Sequence, residues 1–133
     1  MKTQLAILSA TLILGGSLIV TGCNRTTVQG PGNTALTVEA PAAPVVVKRG
    51  NMQTVEVSIV REGFSDPVKV DLTDLPRGVT ARQPARSIET NKATFILDAS
   101  DKADLVANHR AKVTAVGPDG ATATQYVSIV VTE

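Results

Sequence analysis

The sequence predicts an all-β chain, an antiparallel β-sandwich of about seven strands preceded by an N-terminal signal peptide. Three observations predict it. Apolar residues recur at every second position in short segments, the period of a half-buried strand. Gly, Pro, Asn and Asp clusters separate those segments about every 8 to 12 residues. No amphipathic helical stretch lies between them, as a parallel sheet would need.

The chain opens with Lys2 and an apolar run from Leu5 to Val20. As a helix that run spans about 24 Å, short of the roughly 30 Å hydrocarbon core. A basic start, a short apolar run and small residues at its end describe a signal peptide rather than a span. The run closes on Val20-Thr21-Gly22-Cys23. This segment resembles the lipobox of bacterial lipoproteins: an aliphatic residue, a small or aliphatic one, a small one, then Cys. The resemblance implies a diacylglyceryl group on the Cys23 thiol, cleavage after Gly22, and acylation of the new amine. Two or more acyl chains anchor stably, at about 0.8 kcal/mol per buried CH₂. In lipoproteins an Asp after the Cys often signals inner-membrane retention. Asn24 stands there instead, which favours the outer membrane where one exists.

Three segments follow from this. Residues 1–22 are the lipoprotein signal peptide. Residues 23–33 are the lipidated Cys and a polar, Gly30-Pro31-Gly32-containing tether, at most about 35 Å long when extended. Residues 34–133 are the sandwich.

Within 34–133 the elements come in order. Thr34 to Glu39 alternates, with Leu36 and Val38 apolar. Ala40-Pro41-Ala42-Ala43-Pro44 interrupts it before Val45 to Lys48 resumes, as expected of an edge strand, since Pro cannot donate to a ladder. Gln53 to Arg61 is the clearest strand, with Val55, Val57 and Ile59 on one face. Val68, Val70 and Leu72 define the next. Leu75 to Thr80 turns into a short strand, and Pro84 to Glu89 is irregular. Ala93, Phe95 and Leu97 mark a strand from Asn91 to Asp98. Asp98 to Asn108 is a polar corner with a helical turn around Ala103-Asp104-Leu105. His109 to Val116 and Ala121 to Thr132 close the chain, joined by Gly117-Pro118-Asp119-Gly120, a strong turn signal.

The stretch from Val60 to Val68, with Glu62-Gly63-Phe64 in it, is followed by Leu75-Pro76-Arg77-Gly78-Val79-Thr80. Together they resemble bacterial immunoglobulin-like modules of large secreted and surface proteins. Those modules carry a Gly-Phe turn, then a Leu-Pro-x-Gly-Val turn, then a strand like Ala93 to Leu97. The likeness covers roughly Val45 to Thr132. It implies an immunoglobulin-like sandwich and a spacer or adhesive role, although this chain has a single copy. Phe64 is expected to plug one end of the sandwich.

Composition bounds the chemistry. The net charge is +1, with no basic excess to hold nucleic-acid phosphates. Cys23 is the one cysteine, so its acylation leaves no thiol for a disulfide or a His/Cys zinc site. Aromatics are 2% of residues, too few for a stacking surface for sugars or single strands. His109 is the one histidine, and no Gly-x-Ser-x-Gly elbow supplies it with a nucleophile. Asp98, Asp101 and Asp104 are candidate calcium ligands, offering hard oxygens in a short span. Lys102 sits where an EF-hand loop wants an oxygen, and the Gly and closing Glu are missing. The solvated alternative has Asp101 capping the helical turn.

The expected function is a lipid-anchored, non-enzymatic envelope module that binds protein or serves a structural or adhesive role. The alternative is a calcium- or ligand-dependent accessory module. The expected partners are the membrane, through the lipid, and an envelope protein. No cofactor and no nucleic acid is expected.

Overall fold

Two five-stranded sheets pack face to face in the computed structural model, which describes residues 24–133. The strands are β1 (Arg25–Gln29), β2 (Ala35–Glu39), β3 (Val45–Lys48), β4 (Met52–Glu62), β5 (Val68–Thr73), β6 (Val79–Arg82), β7 (Ala85–Ile88), β8 (Lys92–Ala99), β9 (Val106–Val116) and β10 (Thr122–Thr132). The first sheet has the order β1-β2-β4-β8-β6, the second β3-β10-β9-β5-β7. Placing β4 with β8 in one sheet, and β5, β9 and β10 in the other, is the division of an immunoglobulin-type sandwich.

The expected inward faces are the observed ones. Val55, Val57, Ile59, Val68, Val70, Leu72, Ala93, Leu97, Ala111, Val113, Ala115, Val127, Ile129 and Val131 are all buried. Phe95 is the one aromatic ring among the fully buried side chains. Branched Val and Ile dominate the rest, side chains that suit a pleated surface packed on one face.

Several expectations need correction. Ten strands are present among the described residues, not about seven. The polar segment after Asn24 is no tether: Arg25–Gln29 pairs antiparallel with β2, from Arg25 opposite Glu39 to Gln29 opposite Ala35. The break at Ala40–Pro44 is a change of sheet. β2 is covered by β1 inside the first sheet, while β3 is an edge of the second and runs parallel to β10. All other pairings are antiparallel. The two prolines account for the crossing, since neither can donate a ladder hydrogen bond.

Another change of sheet, from β6 to β7, occurs at Gln83-Pro84, where Gln83 takes a φ of 53°. It converts the expected irregular stretch 84–89 into β7, paired with β5. The corner after Asp98 makes one hydrogen-bonded turn at Asp101-Lys102, with Ala103 N donating to Ser100 O at 3.2 Å, and none around Ala103-Asp104-Leu105. β8 continues to Ala99, and other backbone groups of the corner bond outside it. Ser100 N donates to Gly78 O (2.9 Å) and Asp104 N to Arg77 O (3.1 Å). Arg49 Nε donates to Ala103 O at 2.7 Å, and Ala103 is fully buried.

Arg61 ties down the opposite end. Its guanidinium donates to Asp66 O, Ile88 O, Thr90 O and Asn91 Oδ1. Phe64 packs half-buried against the core at that end, beside Leu36 and the Gly117–Ala121 turn.

Candidate functional site

The lipobox residues Val20, Thr21, Gly22 and Cys23 lie outside the described residues. What the structure fixes is the residue that follows them. Asn24 has a φ of 57°, a left-handed conformation that Asn tolerates better than most residues. Its Nδ2 donates to Pro41 O at 2.6 Å, and its carbonyl accepts from Ala40 N at 2.9 Å. The first described residue is thus clamped to the sheet-changing segment.

β1 is held as firmly. Arg25 Nε pairs with Glu39 Oε2 at 2.7 Å, and the Thr27 and Thr37 hydroxyls share a hydrogen bond of 2.7 Å. On the inner side Thr26 is buried, and its Oγ1 accepts from Gln125 Nε2 of the second sheet at 3.1 Å. Gly30 N donates to Thr34 O, so Gly30-Pro31-Gly32 is the turn of a hairpin. The left-handed φ of 67° at Gly32 is the reason a glycine sits in it.

The crossing from β2 to β3 leaves two stretches of strand edge that the chain guards. β2 covers β4 only from Ser58 to Glu62, and β3 covers β10 only from Ile129 to Thr132. Next to each opening a glutamine folds onto the edge. Gln53 Oε1 accepts from Thr54 N while its Nε2 donates to Val46 O. Gln125 Oε1 accepts from Tyr126 N while its Nε2 reaches Thr26. Occupied edge amides cannot template a foreign strand, a recognised protection against aggregation.

The two outer faces differ in charge. Arg25–Glu39, Arg82–Asp98 and Lys92–Glu56 all lie on the first sheet. Its outer face is therefore largely self-neutralised. The outer face of the second sheet carries Lys48, Lys69, Arg110 and Lys112, with Asp71 as the carboxylate on its strands. No ion pair forms there among the described residues. Arg110 instead lies over the exposed Tyr126 ring, 4.2 Å from its centroid, a cation–π contact.

The acidic corner does not assemble. Asp98 Oδ2 accepts from Arg82 Nε at 3.0 Å on the outer face of the first sheet. Asp101 turns back over the Arg49-Gly50 turn, where a Cβ on Gly50 would lie 2.7 Å from its Oδ1. Asp104 is exposed beyond the buried Ala103. Among the described residues no three His, Cys, Asp or Glu side chains form a group able to hold a metal ion. The candidate calcium set Asp98, Asp101 and Asp104 is thus corrected: the strand ending at Ala99 aims the first away from the others.

His109 lies within β9 rather than starting a strand, and its Nε2 is 2.7 Å from Asp74 O. Concavities are shallow. The cavity beside Phe64 holds about 10 Å³, scarcely one water. A wider groove of about 590 Å³ opens to solvent between the Pro41–Val46 crossing and Gln53–Glu56 of β4.

No family model matches the chain, and no curated protein matches it in sequence. A solved structure described as "Crystal structure of the S-layer protein SbsC domains 4 and 5" is similar to it at 17% identity. That likeness covers 91% of this chain and 85% of the other, with a TM-score of 0.46.

Proposed function

We propose that this chain is a lipid-anchored, non-enzymatic module of a bacterial cell envelope that holds a binding surface close to its membrane. The observation that carries the reading is Val20-Thr21-Gly22-Cys23 at the end of a short apolar run, one residue before an ordered sandwich begins. Asn24 after the Cys favours the outer membrane where the envelope has one. Confinement by the lipid raises the effective concentration of the sandwich for neighbouring proteins.

A binding role is supported by the surface. The second sheet's outer face, with Lys48, Lys69, Arg110, Lys112 and the Arg110–Tyr126 pair, suits an envelope protein with an acidic patch. The one histidine of the chain is engaged by a backbone carbonyl, and among the described residues no nucleophile is hydrogen-bonded to it. Both features favour binding over catalysis.

Fractionation and crosslinking of intact cells test the proposal. The Cys23→Ser variant is expected to leave the membrane fraction, and Lys69→Glu with Lys112→Glu to lose the crosslinked partner while staying membrane-bound. A Cys23→Ser protein that remains in the membrane fraction contradicts the anchor.

A further inference from the structure

We infer that the exposed apolar corner Pro41–Val46 rests on the bilayer that holds Cys23, so that the sandwich lies on its side against the membrane. This rests on the lipid anchor proposed above. The first ground is distance. Consecutive Cα atoms are about 3.8 Å apart, whatever the conformation on either side. Asn24 is bonded to Pro41 O and Ala40 N, so a lipid on Cys23 emerges beside this corner with no spacer to lift the domain away.

The second ground is chemistry. From Ala40 to Val47 eight consecutive residues carry no polar side chain. Ala42, Ala43, Pro44 and Val46 are exposed, Val46 at 48%. Pro41 and Pro44 lack backbone N–H groups, so this corner has fewer donors to strip of water than ordinary loop. Lys48 flanks it, exposed, while Arg25 on the other side is paired with Glu39. The Lys48 head can reach an anionic headgroup while its stem covers apolar surface. The orientation leaves the opposite edge, β6 and β7 with Ser87, facing the aqueous side.

Acylation of Cys23 consumes the one thiol of the native chain, so a single introduced cysteine can be labelled cleanly. Lipidated Ala43→Cys and Ser87→Cys proteins, each carrying an environment-sensitive fluorophore, are reconstituted into vesicles of phosphatidylethanolamine and phosphatidylglycerol with brominated acyl chains. Both positions are exposed. Interfacial burial reaches roughly 5–10 Å into the headgroup boundary, so the label at 43 is expected to be quenched about two-fold or more and the label at 87 unchanged. Equal quenching at the two positions, in protein whose lipid is verified by mass, overturns this inference alone. A bare Cys23, with protein that fails to float with the vesicles, overturns the anchor and the inference with it.

Discussion

Gly78→Ala should destabilise the sandwich far more than Gly120→Ala, although both glycines have nearly the same backbone conformation. Their φ angles are 87° and 83°. The left-handed strain of an L-residue, about 1–2 kcal/mol, is common to both. It is partly offset by the smaller entropy of the unfolded chain, about 0.4–1 kcal/mol. The surroundings differ. A Cβ at Gly120 meets nothing within 4 Å, whereas one at Gly78 lies 2.5 Å from Ala103 Cα and 2.9 Å from its Cβ. Those atoms belong to the backbone and Cβ of the buried Ala103, which have no side-chain torsion by which to swing aside. Relief requires the 100–104 corner to move, which endangers the Ser100 N–Gly78 O and Asp104 N–Arg77 O bonds. Each is worth about 0.5–1.5 kcal/mol. Gly120→Ala should therefore cost about 1 kcal/mol and Gly78→Ala about 2–4 kcal/mol. At about 4–8 °C per kcal/mol for a domain near this size, the gap in Tm should be on the order of 10 °C. Thermal melts followed by circular dichroism measure it. Equal losses in the two variants would refute the packing argument and leave dihedral strain as the whole effect.

Other consequences can be checked alongside. Hydrogen exchange should find the amides of Thr26 and Val28 protected with the rest of the first sheet; exchange at free-peptide rates would return this segment to a tether. Arg61→Lys should lower the urea midpoint by an amount equivalent to about 2 kcal/mol, because an ammonium cannot serve four divergent acceptors. A mutant as stable as the parent would show those bonds to be exchangeable for water. Calcium at millimolar concentration should leave Tm unchanged, since Asp98 is committed to Arg82. An upward shift growing with calcium would mean that the corner rearranges into a site.

Which residues face inward was legible because Val, Ile and Leu at alternate positions report burial directly. The strands that escaped are those that turn few hydrocarbon side chains inward. β1 turns Thr26 and Val28 inward, and the Thr is masked by its hydroxyl until Gln125 is seen to satisfy it. The β-branched run Thr26-Thr27-Val28 before Gly-Pro-Gly was the available signal. β7 buries Ile88 and little else. The parallel register of β3 on β10 joins residues over 80 positions apart, which no local pattern encodes. At the acidic corner, spacing alone placed three carboxylates together. The pairing of Asp98 with Arg82 depends on β6 lying beside β8, a tertiary fact. The cationic face was likewise invisible to a net charge of +1, because the balancing carboxylates sit mainly in the loops, at Asp66, Asp74, Glu89, Asp101, Asp104 and Asp119.

Peptide mass spectrometry of the native protein tests the anchor at Cys23 most directly. Trypsin should release Cys23-Asn24-Arg25 as the N-terminal peptide, bearing a diacylglyceryl thioether and an acylated amine. A tryptic peptide running from Thr3 to Arg25, or a Cys23 with an unmodified thiol, would contradict it.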